Sequence, residues 1–192
     1  SDVLTVTDAG LGDEAGRVTV YGGTGATDPT DAADTITVDV RGGGDVYGNG
    51  GDDLITWVNG IGGSFAGGGG ADVFAFGADA VYDLDLGIEE DDEDINTVID
   101  FVSGVDQLDV SDFASTYAGQ VNVAGASDLE AALDLVVNGL DVGEVGWFAF
   151  GGNTYVVADG GPTNGGTFEA NEDQLIRLAG ITSIADGDFI LS

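Results

Sequence analysis

The 192-residue sequence predicts an all-β protein, in which a short parallel β-solenoid is followed by a β-rich capping domain with one helix. Three triplets of the form Asp-x-hydrophobic begin at Asp34, Asp53 and Asp72, each 19 residues after the last. Glycine-rich segments precede the triplets, and short runs of alternating apolar and polar residues lie between them. Such a repeat is expected where short coils stack, with every Asp on the same edge of the stack.

The strands of the predicted solenoid follow from this alternation. Residues 3–7, 17–21 and 35–38 each alternate over a length suited to one strand. Between residues 42 and 76 the spacing tightens, and each coil has room for two short strands and two turns. The side chains expected to face inward recur every 9 or 10 residues, at Ile36, Val46, Ile55, Phe65 and Phe74.

The chain is predicted to divide near residue 76, with the solenoid in residues 1–76 and the capping domain in residues 77–192. An acidic run between residues 79 and 94 is expected to be a solvated loop, with a peripheral cation site as the alternative. Two strand-like segments that end in acidic turns follow it, at residues 96–101 and 106–111.

One helix and one hairpin are predicted in the capping domain. The helix is expected near residues 128–138, because residues 127–130 have the form of a capping box and apolar residues then recur on one face. The hairpin joins residues 147–150 to residues 154–157 through a Gly-Gly-Asn turn. The closing segment, residues 188–192, is apolar and is expected to be exposed.

The composition excludes several classes of function. The formal net charge is −33, because 36 acidic residues face only three arginines. A surface this negative repels nucleic acids and anionic membranes. It suits divalent cations, which prefer oxygen ligands, although adaptation to salt water is an alternative explanation of the charge. The sequence has no Cys and no His, which removes disulfides, thiolate zinc sites and the commonest general base.

The glycine-rich turns carry a specific pattern. Residues 67–75 fit the nonapeptide Gly-Gly-x-Gly-x-Asp-x-hydrophobic-x at every fixed position, and residues 48–56 fit it with Asn49 in place of the second Gly. Glycine turns can aim backbone carbonyls inward and the Asp adds charge, which suits Ca²⁺. A glycine-rich linker, or a solenoid held by hydrophobic stacking alone, is the alternative. The repeats resemble the calcium-binding β-roll of RTX (repeats-in-toxin) proteins.

The spacing and the resemblance together predict calcium as the cofactor of this edge. The best-defined site is expected between the turns 48–53 and 67–72, and a second site between Asp34 and Asp53. The opposite edge, which offers Asp45 and then a serine, is expected to bind more weakly. The candidate ligands of the roll are Asp34, Asp45, Gly48, Gly50, Asp52, Asp53, Gly67, Gly69 and Asp72.

The segment after the roll resembles the domain that follows the β-roll in serralysin-type proteases. The pattern there is Asp-x-Ile-x-Asp-Phe and then Gly-x-Asp-x-Ile-Asp-Leu-Ser, and residues 96–101 and 104–111 match it with Asn in place of the first Asp. The resemblance implies metal ligands at Asn96 and Asp100. An oxygen-rich loop after the hairpin adds three candidates, Asp159, Glu169 and Asp173.

Residues 145–192 resemble the C-terminal ends of type I-secreted surface proteins, including S-layer proteins and adhesins. The segments 152–159 and 173–180 carry this resemblance. It implies an export signal at residues 189–192 that the type I secretion apparatus recognises, with an ordinary closing strand as the alternative. The protein is therefore expected to be secreted, either extracellular or at the cell surface, and to be a piece of a longer chain.

Three functions compete. The first is a calcium-binding C-terminal module of a larger bacterial surface protein, an S-layer protein or an adhesin, that folds on calcium outside the cell and supports export and surface assembly. The second is a calcium-dependent carbohydrate-binding or folding module of a secreted enzyme. Trp57, Trp147 and Tyr155 are its candidates for stacking on glycans, although packing in the core or at a sheet edge is the favoured role of all three. An enzyme is not expected, because His, Cys and Lys are all absent.

The expected partners follow from these functions. They are calcium ions, the type I secretion apparatus, and either a second copy of the chain or a cell-surface glycan. Neither nucleic acid binding nor membrane insertion is expected, since the charge opposes the first and no apolar run near 18 residues supports the second.

Overall fold

Nearly all the regular structure of this protein is β-strand. The computed structural model describes residues 1–7, 17–25, 27–60, 62–79, 94–161, 166–169 and 172–192. The elements of these residues, in chain order, are β1 (Val3–Thr7), β2 (Val18–Tyr21), β3 (Thr35–Asp39), β4 (Gly44–Gly50), β5 (Leu54–Asn59), β6 (Gly63–Gly69), β7 (Val73–Asp79), β8 (Asn96–Val98), β9 (Gln107–Asp109), β10 (Thr116–Gln120), α1 (Leu129–Val137), β11 (Glu144–Phe150), β12 (Asn153–Ala158), β13 (Gln174–Leu178), a 3-10 helix (Asp186–Asp188) and β14 (Phe189–Ile190).

The strands form two sheets, and the first part of the chain alternates between them. Sheet A has the order β1-β3-β5-β7-β9-β14, and sheet B has the order β10-β11-β12-β13-β8-β6-β4-β2. From β1 to β9, neighbouring strands within each sheet are parallel. Successive coils that each add one strand to both sheets produce this arrangement. The predicted all-β fold with a parallel β-roll is therefore confirmed.

The core of the roll lies between the two sheets. In sheet A, Ile36 lies beside Ile55 and Ile55 lies beside Phe74, so apolar side chains stack from coil to coil. In sheet B, Val46 and Phe65 are aligned in the same way. All five of these predicted inward residues are buried, and none exposes more than 2% of its surface. Truncating a buried Phe in such a core typically costs about 3–5 kcal/mol.

Both sheets include strands from either side of residue 76, where the regular 19-residue interval ends. β8 pairs with β6 in sheet B and β9 pairs with β7 in sheet A, so one more coil follows. The acidic run that delays this coil lies mostly in residues 80–93, outside the described part of the chain. The division into two domains at residue 76 stays a prediction.

The helix α1 covers part of the outer face of sheet B. Its Leu133 is buried in a cluster with Phe148 of β11 and Leu175 of β13. The N-cap is Asp128, which has an extended backbone (φ −155°) and accepts a hydrogen bond from the Ala131 N–H at 2.9 Å. The helix therefore begins one residue later than a cap at the serine of the predicted box implies. No helix among the described residues is long and apolar enough to cross a membrane.

The predicted hairpin extends sheet B. β11 and β12 pair antiparallel around a turn in which Gly151 and Gly152 have φ of 56° and 86°. Two consecutive positive φ values are typical of a two-residue type I′ turn. β13 then pairs with both β12 and β8, so the C-terminal strands continue the sheet of the roll.

The C-terminal segment is part of the fold. β14 pairs with β9 at the edge of sheet A, and its Phe189 is only 8% exposed. The Ser192 N–H donates to the Ala114 carbonyl at 3.3 Å. The expectation that residues 188–192 are exposed is therefore wrong for the folded chain, because the apolar side chain of Phe189 is buried where sheet A ends. Phe189 and Ile190 form a closing strand, and the export signal at residues 189–192 stays a prediction.

Candidate metal centre

The turns that lead from sheet B to sheet A share one backbone conformation. In two consecutive turns, the second and fourth residues have positive φ: 82° at Asn49 and 109° at Gly51, then 95° at Gly68 and 147° at Gly70. Glycine adopts such angles at no steric cost, and Asn is one of the few other residues that tolerates them. The Asn at position 49 therefore preserves the turn that the nonapeptide pattern requires.

Five aspartates stand one above another where these turns enter sheet A. The backbone N–H of each of the first four donates to Oδ1 of the Asp in the next coil. The four hydrogen bonds run from Asp2 to Asp34 at 2.5 Å, from Asp34 to Asp53 at 2.7 Å, from Asp53 to Asp72 at 2.9 Å, and from Asp72 to Asp106 at 3.0 Å. We call these five residues the Asp column. One oxygen of each upper carboxylate thus fixes the register of the coil beside it.

Two members of the Asp column, Asp2 and Asp106, were not predicted from the sequence. Each begins the same Asp-x-hydrophobic triplet, Asp2-Val3-Leu4 and Asp106-Gln107-Leu108. Their distances in sequence from the neighbouring rungs are 32 and 34 residues rather than 19. A search for the triplet itself, with the interval left free, would have found both, because loops of any length can join successive coils.

The second oxygens of the column point into a cradle lined by glycine. Oδ2 of Asp34 and Oδ2 of Asp53 are buried and accept no hydrogen bond within the described residues. A Cβ added to Gly22 would lie 2.5 Å from Asp34 Oδ2 and 2.6 Å from the Gly48 carbonyl oxygen. A Cβ added to Gly48 would likewise meet Asp53 Oδ2, and would lie 2.7 Å from the Gly67 carbonyl oxygen. At each level a carboxylate oxygen and a carbonyl oxygen therefore converge on one glycine.

This convergence of oxygens is electrostatically unfavourable without a cation. Burial raises the pKa of Asp53 to about 6, and the charges of Asp72, Asp34 and Asp31 raise it too, against the hydrogen bond from the Asp34 N–H, which lowers it. Burial likewise raises the pKa of Asp72 to about 6, with Asp106 the largest contributor among the neighbouring charges. Like charges that share a buried site shift their pKa values in this direction.

Three further candidate ligands of the roll, Gly50, Asp52 and Gly69, support the turns. Gly50 of β4 lies in register with Gly69 of β6, and the Gly51 N–H donates to the Gly69 carbonyl at 2.8 Å. Oδ1 of Asp52 accepts a hydrogen bond from the Ala71 N–H at 2.9 Å. These contacts join the two turns beside Asp53 and Asp72, and they keep the two aspartates in register.

Asp45 lies away from the Asp column. It is the second residue of β4, in register with Ser64 of β6, and its side chain points to the outer face of sheet B. Its Oδ1 is 3.6 Å from the Arg17 Nη2, in an exposed ion pair of the kind that contributes little stability. Asp45 and Ser64 therefore lie within strands, and not in turns like those beside the Asp column.

The structure does not bring Asn96 and Asp100 together. Asn96 starts β8 and its Oδ1 accepts a hydrogen bond from the Gly63 N–H at 2.9 Å. Asp100 lies beyond the other end of β8, where its two oxygens accept from the N–H groups of Gly67 at 3.1 Å and Gly68 at 2.9 Å. Burial raises the pKa of Asp100. Both side chains therefore hold neighbouring turns from opposite edges of the roll.

The candidates of the second loop do lie close together. Asp159 and Asp173 are almost fully buried, at 1% and 2% exposure. Asp173 accepts hydrogen bonds from the Glu169 N–H at 2.7 Å and the Gly160 N–H at 3.3 Å. Burial raises the pKa of Asp173, and the charge of Asp159 raises it too. In this structure, Asp173 anchors the backbone of the loop.

The donor set of the roll fits a hard cation with mixed ligands. Among the described residues, no three acidic side chains converge closely enough to hold a metal ion by themselves. Backbone carbonyls must therefore supply much of any shell, as the Gly48 and Gly67 carbonyls beside the Asp column could. Ca²⁺ takes six to eight oxygens from both carboxylates and carbonyls, so the chemistry of these turns matches it.

The three aromatic side chains considered for glycan stacking are buried, as their favoured role in packing requires. Trp57 and Tyr155 have no exposed surface, and Trp147 is 6% exposed, so none can contact a sugar. They belong to the apolar core, as large rings usually do. A different pair is accessible: Tyr21 and Tyr47 stack on the outer face of sheet B with ring centroids 5.2 Å apart, and Tyr21 is 39% exposed.

Comparison with known proteins supports the fold. The sequence matches no protein-family model and no curated protein. Among solved structures, the chain is similar to the solution structure of the AlgE6R3 subunit of the mannuronan C5-epimerase from Azotobacter vinelandii, with a TM-score of 0.51 and 16% identity. The similarity covers 97% of this chain and 83% of that one, so it includes the C-terminal strands as well as the roll.

Proposed function

We propose that this chain is a calcium-binding β-roll module of a larger secreted bacterial protein. The observation that carries the proposal is the Asp column, whose buried Oδ2 oxygens accept no hydrogen bond at Asp34 and Asp53 and face carbonyls of the next turn. Buried charges without partners are costly, and a divalent cation offsets that cost. The resemblance of the turns to RTX repeats agrees with this chemistry.

Within the proposed sites, the residues have separate tasks. Oδ1 of each Asp holds the register between coils through the backbone N–H of its neighbour. Oδ2 of the same Asp and the carbonyls of Gly48 and Gly67 form the oxygen lining. When bound, calcium supplies the positive charge that removes repulsion within the column. The glycines keep the lining free of side chains.

Calcium binding by such sites is also folding energy, because the sites form only when the coils stack. The formal charge of −33 opposes compaction, so the calcium-free chain is expected to be unfolded or loosely packed. Extracellular calcium modules often bind at about 10⁻⁴–10⁻³ M. We infer that the chain stays unfolded in a low-calcium cytosol, passes through a type I secretion apparatus, and folds at the cell surface, where it supports an S-layer or adhesin assembly.

The proposed role is structural rather than catalytic. The chain lacks His, Cys and Lys, so only carboxylates could carry acid or base chemistry. Asp53, whose pKa is raised, accepts a hydrogen bond from the backbone of the neighbouring coil, as Asp72 does. These carboxylates therefore have a structural role in joining the coils. Asp159, Glu169 and Asp173 are proposed as a secondary calcium site, in which backbone carbonyls would have to complete the shell around the buried Asp159 and Asp173.

Circular dichroism with and without a chelator tests the calcium proposal. The far-ultraviolet spectrum should show β-structure at millimolar calcium, lose it when a chelator is added, and recover it when calcium is restored. Magnesium at the same concentration serves as the control, because Mg²⁺ demands octahedral geometry and gives up its water reluctantly. A spectrum unchanged after complete removal of calcium would contradict the proposal.

A second function is favoured by the similarity to a subunit of an epimerase. In that case the chain would be a calcium-dependent carbohydrate-binding or folding module attached to a secreted enzyme, with Tyr21 and Tyr47 as the accessible aromatic surface. A glycan array in calcium buffer distinguishes the two functions. Binding that disappears in the Tyr47→Ala variant, while the circular dichroism stays unchanged, would support the carbohydrate-binding function.

A further inference from the structure

A groove with a volume of about 360 Å³ lies on the outer face of sheet B, beside the turns of the roll. Its floor includes Ala66 and Gly68 of β6, whose small size leaves the strand accessible. Because β6 lies between β4 and β8, Tyr47 of β4 and Asp100, which follows β8, line the groove from opposite sides. Ligand pockets commonly have volumes of about 300–1,000 Å³, so the groove has room for a small ligand.

The wall on the β4 side is built by an insertion in the chain. Residues 27–33 interrupt the regular 19-residue spacing of the turns, and both Asp28 and Pro29 line the groove. The Asp28 N–H donates to Asn49 Oδ1 at 3.1 Å. A Cβ on Gly50 would lie 3.2 Å from the Pro29 carbonyl oxygen, so the insertion is packed against the next turn. The groove therefore depends on a segment that the repeat pattern does not contain.

Two carboxylates line the groove, and hydrogen bonds hold both in place. Oδ1 of Asp28 accepts from the Thr30 hydroxyl at 2.9 Å and the Thr30 N–H at 3.3 Å, and Oδ2 accepts from the Thr24 hydroxyl at 2.8 Å. Asp100 accepts from two N–H groups of the turn beside it, at 3.1 and 2.9 Å. A carboxylate has about four acceptor positions. Both groups can therefore accept a further hydrogen bond from a ligand.

Tyr47 gives the groove an aromatic surface of fixed orientation. Its ring stacks against the ring of Tyr21, with centroids 5.2 Å apart and planes inclined by 15°. Apolar surface of Pro29 and Ala66 lies in the same groove. An aromatic ring beside hydrogen-bond acceptors suits a ligand that has an apolar face and hydroxyl groups at its edge. A sugar ring has this shape.

We propose that this groove binds a glycan that carries no acidic group, with a sugar ring against Tyr47 and its hydroxyl groups donating to Asp28 and Asp100. The proposal rests on the second function above, the carbohydrate-binding module, and gives it a site and a ligand class. A carboxylated or sulfated sugar would meet two like charges, and no basic side chain among the described residues lines the groove. The net charge of −33 opposes an acidic glycan as well.

A glycan array that holds neutral, carboxylated and sulfated oligosaccharides tests this inference on the full 192-residue chain at saturating calcium. Neutral oligosaccharides should bind, and the acidic ones should not. Calorimetry with the strongest neutral ligand then compares two variants. Ala66→Leu fills the floor of the groove and should weaken binding about tenfold or more. Ala75→Leu is the matched control, because it makes the same change on the outer face of β7 in sheet A, and it should bind as the wild type does.

The outcomes distinguish this inference from the functions proposed above. Neutral-glycan binding that Ala66→Leu leaves unchanged would place the glycan elsewhere, which overturns the inference and keeps the carbohydrate-binding function. A preference for carboxylated or sulfated glycans would overturn the ligand class. If the calcium-folded chain binds no glycan, the inference and the carbohydrate-binding function both fail, while the calcium response in circular dichroism still decides the first function. If Ala66→Leu does not fold, Tyr47→Ala provides the same comparison, and unchanged binding in that variant also overturns the inference.

Discussion

At the scale of single residues, the two carboxylate oxygens of an aspartate in the middle of the Asp column have different partners. Oδ1 of Asp53 and of Asp72 accepts a hydrogen bond from a backbone N–H of the neighbouring coil. Oδ2 of Asp34 and Asp53 has no such partner within the described residues. Hydrogen bonds therefore hold the column in place, but they leave the negative charge at these Oδ2 oxygens uncompensated. One substitution can for this reason have opposite effects on the calcium-free and the calcium-bound chain.

Asp53→Asn should show this reversal of sign. Asn keeps an oxygen that can accept the Asp34 N–H, but it removes a buried charge whose pKa is raised to about 6. The calcium-free chain should therefore gain about 1–3 kcal/mol in free energy of unfolding at pH 7. The calcium-bound chain should lose stability and affinity, because a charged ligand is gone. The residual β-structure in chelator, followed by circular dichroism, reports the first effect, and chemical denaturation in calcium measures the second. Glu130→Gln, which should change stability by no more than about 0.5 kcal/mol, is the control.

The raised pKa values also fix the direction of the pH dependence. A carboxyl whose pKa is higher in the folded chain than its usual value of 3.8 favours folding when it is protonated. That contribution is complete below about pH 4 and is lost as the pH rises through about 6. In chelator, the residual β-structure detected by circular dichroism should therefore decrease between pH 4.5 and about pH 7. With calcium present, the trend should reverse, because protons compete with the cation for the same oxygens. Residual β-structure in chelator that increases over this range would contradict the assignment.

At the scale of elements, the turns and strands of the roll follow from local sequence, and their connections do not. Alternation identifies β3 to β7, and the nonapeptide identifies the turns, because both patterns reflect requirements within one coil. The rungs at Asp2 and Asp106 were missed because the length of the linking loop is not set by the coil geometry. The packing of residues 27–33 against the next turn is equally hidden, since the Asp28 N–H reaches Asn49 Oδ1 across 21 residues of sequence.

The glycine at the start of each turn is the element-scale feature most open to test. Gly48→Ala would place a methyl group against Asp53 Oδ2 and the Gly67 carbonyl oxygen. The calcium-bound fold should lose about 1–3 kcal/mol, as expected when a side chain is forced into a filled space, and calcium affinity should fall with it. Gly25→Ala is the matched control, because a Cβ there meets nothing within 4 Å. Thermal denaturation at saturating calcium compares the two variants, and equal behaviour would show that the cradle is not needed.

At the scale of the whole molecule, the same strands serve the roll and its cap. Sheet B runs from the first coil through β8 and on into β13, β12 and β11, and sheet A ends at β14. The Asp188 carboxylate ties the closing 3-10 helix to the last turn of the column, where Oδ1 accepts from the Gly104 N–H at 2.8 Å and Oδ2 from the Ser103 hydroxyl at 2.5 Å. Order in the column should therefore be coupled to order in the C-terminal strands.

This coupling predicts that the entire chain expands and contracts as one unit with calcium. A folded chain of this length should have a radius of gyration of about 16 Å, against about 47 Å when fully unfolded. Small-angle X-ray scattering in chelator should give a value well above 16 Å, and calcium should restore it in a single cooperative transition. Sodium chloride at high concentration is the control, because it screens the −33 charge without supplying a divalent cation for the column. Salt alone should contract the chain only partly, since screening relieves repulsion but leaves Oδ2 of Asp34 and Asp53 without partners. Full compaction in salt and chelator would show that charge, rather than site occupancy, controls folding.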